Sequence, residues 1–144
     1  MLEKAFEKVY AKFRTHFYEQ VLRGHKDNLS ATEEFMLEGI HALGSPTVSE
    51  FAKFAHLSLP NATYRVNALV KKGFLQKITP QQDKREVRLC VTDKFYEYFN
   101  ISAAYSNKVM RDLESRLTPE QAEQLAQTLT MLSDEIMIKE EENG

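Results

Sequence analysis

Lys84 and Arg85 stand side by side in a polar turn, Gln81-Gln82-Asp83-Lys84-Arg85, which runs directly into the alternating stretch Glu86-Val87-Arg88-Leu89-Cys90-Val91-Thr92. Adjacent cations projected from a short turn suit a phosphate backbone and a narrow minor groove, where negative potential attracts arginine. Just upstream, Ser58 to Lys72 carries small and polar residues in its first two helical turns, the composition needed to approach base edges. Stepped at 100° per residue, Pro60, Asn61, Tyr64, Asn67, Ala68 and Lys71 share one side of that helix, while Ala62, Val66, Leu69 and Val70 share the side that is buried.

Other chemistries find less support in the residues. Asp83 has no second carboxylate or histidine placed near it to share acid–base work, so it reads as a structural acid. No nucleophile–base arrangement or glycine-rich phosphate loop is present, and no catalytic residue or cofactor is expected. His16, His25, His41 and His56 are scattered, and a metal site would need several of them brought together with Glu33, Glu34 or Glu38; no metal is expected. Cys90 lies on a strand with no cation expected on its own face, which disfavours a reactive thiolate.

The elements that must position the turn and the polar helix follow from periodicity and punctuation. Leu2, Ala5, Phe6, Val9, Phe13, Phe17 and Val21 form one stripe of a first helix ending near Gly24. Ser30 with Glu33 forms a capping box for a second, whose apolar face is Phe35, Met36, Ile40 and Leu43 before Gly44-Ser45-Pro46 stops it. Thr47 with Glu50 opens a short third helix. Ser58 caps the fourth, with Pro60 in its first turn and Gly73 at its close. Phe74–Ile78 and Glu86–Val91 pair as an antiparallel hairpin, the body of a wing. Thr92 caps a long helix to about Leu113, and Thr118-Pro119-Glu120-Gln121 opens a last one through Leu125, Leu129, Leu132 and Ile136, before an acidic tail beyond Lys139.

The fold class is therefore mainly α with a small β-hairpin, a winged helix-turn-helix flanked by N- and C-terminal helices. Those flanking helices carry more apolar surface than so small a chain covers alone, and they are expected to pair with a second copy. A twofold pair would set its reading helices roughly 34 to 36 Å apart, one turn of duplex.

A chain of 144 residues, 42% hydrophobic and 28% charged, suits one domain with its own core. The net charge of −2 conceals a segregation. Between Lys53 and Val91, the cations Lys53, Arg65, Lys71, Lys72, Lys77, Lys84, Arg85 and Arg88 face only Asp83 and Glu86, whereas from Arg111 onward acids dominate. One region is built to meet a polyanion and the other is not. The single cysteine excludes an internal disulfide, no apolar run approaches a membrane span, and Glu3, Lys4, Glu7 and Lys8 interrupt any signal-peptide core, so a cytoplasmic protein is expected.

Three blocks resemble the MarR family of bacterial winged-helix regulators, in the family's order and over nearly the whole chain. Asp83-Lys84-Arg85 with Val87, Leu89, Val91, Thr92 and Lys94 resembles the family's Asp-x-Arg wing and its strand-to-helix exit. Thr47-Val48-Ser49-Glu50-Phe51-Ala52 resembles the helix-turn-helix entry, and Leu69-Val70-Lys71-Lys72-Gly73-Phe74-Leu75 the close of the recognition helix. Tyr64 and Phe95 depart from an arginine and a glycine frequent in the family at those places.

The resemblance implies a single domain over 1–144, with a DNA-binding region at 30–92 and dimerisation helices in 1–29 and 93–144. It implies that Arg85 enters the minor groove while Asp83 pairs with an arginine and fixes the turn. Asn61 and Tyr64 would face bases together with Pro60 and Asn67, Ser58 and Thr63 would be available to phosphates, Arg65, Lys71 and Lys72 would lie near phosphates, and Lys84 and Arg88 would serve the wing. The expected function is a homodimeric regulator of transcription, a repressor that binds a pseudo-palindromic double-stranded DNA operator and is released by a small-molecule effector. The alternative is a winged-helix dimer that binds protein, ligand or metal without specific DNA recognition.

Overall fold

The computed structural model describes residues 1–23, 29–82 and 85–138. Its backbone gathers into two compact units, Met1–Ala103 and Ala104–Gly144. The helices are α1 (Leu2–Arg23), α2 (Ala31–Leu43), α3 (Val48–Phe54), α4 (Leu59–Lys71), α5 (Asp93–Glu114) and α6 (Pro119–Met131), with strands β1 (Leu75–Ile78) and β2 (Arg88–Val91) between α4 and α5. Among the described residues no helix is long and apolar enough to cross a membrane. The expected end of α1 at Gly24 and the acidic tail beyond Lys139 lie outside the described residues.

Local sequence accounts for the helix starts. Ser30 and Glu33, Thr47 and Glu50, and Thr118 and Gln121 each form the reciprocal capping box, satisfying amides that have no partner within the helix. Thr92 behaves otherwise. Its carbonyl accepts from Phe95 N at 3.0 Å, but its hydroxyl donates to the Gly73 carbonyl at 2.6 Å, tying the start of α5 to the end of α4.

Helix ends show a second device. Gly73 takes φ 89°, and the bonds Phe74 N to Leu69 O (3.1 Å) and Gly73 N to Val70 O (3.0 Å) close α4 as a Schellman motif. The Phe74 amide is thereby committed to the helix, and β1 begins one residue later than periodicity predicts. The same motif ends α3, with Leu57 N bonded to Ala52 O at 2.9 Å and His56 N to Lys53 O at 3.3 Å. There the left-handed position is His56, at φ 53°, where a side chain costs about 1 kcal/mol that glycine would not. This bend fixes the angle between α3 and α4.

The first unit is held by Met36, Leu37 and Ile40 of α2, Phe51 and Ala52 of α3, Ala62, Val66 and Leu69 of α4, with Phe74, Leu75, Leu89 and Phe95. Each large side chain fully buried here contributes about 1.5–3 kcal/mol, so Leu75 and Leu89 fasten the hairpin to the helices. Leu75 pairs with Val91 and Ile78 with Arg88. On its other edge β2 is bridged to the α2–α3 connection, Thr47 opposite Arg88, with Leu89 N donating to Pro46 O at 2.8 Å. Phe35, expected on the apolar face of α2, is 44% exposed and packs instead against Phe17 and Tyr18 of α1, with ring centroids 5.6 and 6.3 Å away.

In the second unit the C-terminal part of α5 and α6 line an apolar groove of about 430 Å3 that includes Met110, Leu113, Leu117, Ala122, Leu125 and Leu129. Beyond Met131 the α-helical pitch widens into a π turn, Leu132–Ile136, which shifts the stripe that Leu132 and Ile136 would otherwise continue.

Candidate nucleic-acid interface

Helix α4 divides as its sequence predicts. Ala62, Val66 and Leu69 have no exposed surface, whereas Pro60, Asn61, Arg65, Asn67 and Lys71 are exposed and Tyr64 is 77% exposed. Ser58 Oγ accepts from Asn61 N at 3.3 Å, capping the helix, and Thr63 Oγ1 donates to the Leu59 carbonyl at 2.9 Å. No acid stands in the first turn of α4, unlike α2, α3 and α6, so the partial positive charge of its N-terminus is not offset by an acid of its own first turn.

The wing and α4 meet across a concavity of about 600 Å3 lined by Thr47, Val48, Ser49, Leu59, Thr63, Arg85, Glu86 and Val87. Arg85, one of these lining residues, is exposed. Thr47 and Ser49 are not among the expected contacts; the hydroxyl of Thr47 reads as a helix cap, which it is, and nothing in the spacing singles out Ser49. Asp83 and Lys84 lie outside the described residues.

Long-range pairs alter the reading of several cations. Lys77 Nζ donates to Asn67 Oδ1 at 2.6 Å, lacing β1 to the outward side of α4. Lys72, expected near phosphates, donates to both carboxylate oxygens of Glu33 at 2.9 Å. Arg88, expected to serve the wing's contact with DNA, pairs with Glu86 and donates to the Ser45 carbonyl at 3.1 Å, so it braces the hairpin base. Residues neighbouring in sequence thus differ in placement: Lys71 is exposed while Lys72 is paired with Glu33. Arg88 also corrects the expectation for Cys90. Alternation along β2 puts both on one face, and Cys90 Sγ lies 3.4 Å from the Ser45 hydroxyl, so a cation does share that face.

Helix α2 carries carboxylates of opposite tendency. Burial pushes the Glu33 carboxyl up, but hydrogen bonds from Lys72 and the Ser30 backbone, with the charge of Lys72, outweigh it and hold the group below its ordinary 4.5. Burial, then the charge of Glu34, raises Glu38 above 4.5. Glu34 itself is 1% exposed and accepts from the Tyr98 hydroxyl at 3.1 Å. The signs follow from linkage. Stability contributed by Glu33 is present above 4.5 and is lost as pH falls through its lowered folded value; stability contributed by Glu38 is full below 4.5 and is lost as pH rises through its raised folded value. Urea midpoints followed from about pH 3 to about pH 7 should show Glu38→Gln gaining on the parent as pH rises and Glu33→Gln losing ground. Parallel profiles would contradict both assignments. Among the described residues, no three of His, Cys, Asp and Glu come together as a metal site.

Residues 29–87 match the model of the MarR family. An uncharacterized HTH-type transcriptional regulator of Bacillus subtilis strain 168, YkoM, is 28% identical over 120 residues, which span 82% of this chain and 77% of that one. A MarR family protein from Bacillus stearothermophilus superposes with a TM-score of 0.63 at 15% identity, over 95% of this chain and 94% of the other. Streptococcus pneumoniae FabT, solved in complex with DNA, superposes with a TM-score of 0.56 at 22% identity, over 94% and 97%. The matched segment contains the capped helices α2 and α3, the outward face of α4 and the hairpin, and the solved structures share the fold; over this segment the chain is similar to the MarR family.

Proposed function

We propose that the protein is a sequence-specific double-stranded-DNA-binding regulator of transcription that acts in the cytoplasm as a homodimeric repressor. The observation that carries this reading is the shared exposure of Asn61, Tyr64, Arg65 and Lys71 on α4, the helix whose Leu59 and Thr63 line one concavity with the exposed Arg85 of the wing. A helix with polar and aromatic side chains outward reads base edges in the major groove, and an exposed arginine on a hairpin enters the neighbouring minor groove. The DNA-bound FabT structure supports the same use of this fold.

Residues 30–92 form the reader in this account, with 1–29 and 93–144 supplying the pairing surface. Leu2, Phe6, Val9 and Tyr10 leave 79%, 57%, 51% and 52% of their surface exposed along α1, and Leu129, Ile136 and Ile138 are exposed near the C-terminus. Apolar surface on that scale is suited to a second copy. A small-molecule effector releases DNA by binding more tightly to dimers whose reading helices are not spaced for B-form duplex.

Titration of duplex at near-physiological salt, with the mass of the complex measured in parallel, tests this reading. Two chains per duplex and a preferred sequence bound at least about 1000-fold more tightly than bulk DNA are expected. A ratio near one, or a single chain per site, would contradict it.

A further inference from the structure

Three consecutive residues at the end of α4 are gripped by other elements. Lys72 Nζ sits between the two oxygens of Glu33, at 2.9 Å from each, with side chains only 33% and 17% exposed. The Lys72 carbonyl accepts from Lys94 Nζ at 2.8 Å, the Gly73 carbonyl accepts from Thr92 Oγ1 at 2.6 Å, and Lys94 Nζ lies 4.7 Å from the centre of the Phe74 ring. Glu33 is itself fixed, because Oε1 also accepts from Ser30 N at 3.0 Å while Glu33 N donates to Ser30 Oγ at 3.1 Å.

Resting on the regulatory reading above, we propose that the Glu33–Lys72 pair is a strut that sets the pitch of the reading helix, making Glu33 and Lys72 positioning residues for DNA recognition rather than contacts. The apolar side of α4 holds the helix against the core through Ala62, Val66 and Leu69, but hydrophobic contact is non-directional and tolerates small rotations. A charged pair with a bidentate acceptor is directional. From Lys72 to Asn61 the helix is a lever of about 16 Å, so a tilt of about 10° at its pinned end moves Asn61 by about 3 Å, the length of a hydrogen bond. Base readout fails over such a displacement, whereas attraction to the phosphate backbone persists over a Debye length of about 8 to 10 Å. Losing the strut should therefore cost specificity more than affinity for DNA in general.

Glu33→Gln keeps the capping box, which accepts glutamine, and removes only the ion pair. Lys72→Met removes the cation and retains the stem, and Lys72→Arg restores a bidentate donor. With each variant shown by its thermal transition to be folded, binding is measured to the preferred duplex and to a scrambled one over a range of salt. The expected result is a loss of about tenfold on the preferred duplex for Glu33→Gln and Lys72→Met, no larger loss when they are combined, and near-parental binding for Lys72→Arg. Scrambled-duplex affinity and the salt slope should stay close to the parent's. A slope reduced by about 0.9 in Lys72→Met, with both duplexes weakened alike, would make Lys72 a phosphate contact and overturn the proposal. Parental binding by Glu33→Gln would overturn it as well. The parent's own preference is the separate control: a parent that does not distinguish the duplexes defeats the regulatory reading and the strut with it, whereas a discriminating parent with unaffected variants defeats the strut alone.

Discussion

Arg85→Ala is expected to weaken binding of the preferred duplex by about 1–3 kcal/mol, which is about 5- to 150-fold, and to flatten the salt dependence. Arg85 is the exposed cation on the described part of the wing turn, lining the concavity shared with Thr47, Ser49 and Thr63. A guanidinium there fits the narrow, electronegative minor groove better than an ammonium would, being planar and more weakly hydrated. Lys should therefore restore only part of the loss. The same truncation at Arg111, in the acid-rich C-terminal third, should change neither affinity nor slope. Titrations at several salt concentrations check this, and equal affinity and slope for Arg85→Ala and the parent would remove Arg85 from the interface.

Phe51→Ala should cost about 3–5 kcal/mol of folding stability. Its ring has no exposed surface and joins a core shared with Leu37, Ile40, Leu69, Phe74, Leu75 and Leu89, so truncation leaves a cavity beneath the helices that aim the reader. Against the 5–15 kcal/mol typical of whole domains, that loss is a large fraction, and the urea midpoint should fall by more than about 1 M. Tyr64→Ala makes the opposite case. At 77% exposure its removal should shift stability by no more than about 0.5 kcal/mol while reducing duplex binding. If Tyr64→Ala unfolded the protein as Phe51→Ala does, the division of α4 into a reading face and a packing face would be wrong.

What could be read from the sequence was local. The three capping boxes form between residues three apart, and the two sides of α4 follow from helical periodicity alone. The hairpin was recognisable from its alternation, though β1 starts one residue later than expected because Phe74 serves the end of α4, and β2 starts at Arg88 rather than Glu86. Interactions between distant segments were not legible. Lys72 finds Glu33 across 39 residues, Arg88 finds Ser45 across 43, and Tyr98 finds Glu34 across 64. Nothing in the composition of these stretches separates a lysine left exposed, such as Lys71, from one paired across the fold, such as Lys72; only the fold does. Leu37 shows a similar gap within one helix. It is completely buried yet was absent from the expected face of α2, while Phe35, counted on that face, is packed against α1. The left-handed His56 was hidden for another reason, since glycine is the residue that advertises that conformation.

In the proposed regulator, two copies of α4 and its wing address successive turns of one duplex. Selection of bound sequences from a random pool of duplexes by the full chain tests it most directly. An enriched site with twofold symmetry is expected, its half-sites centred about 10 base pairs apart. An enriched site without symmetry, or no enrichment over the starting pool, would contradict it.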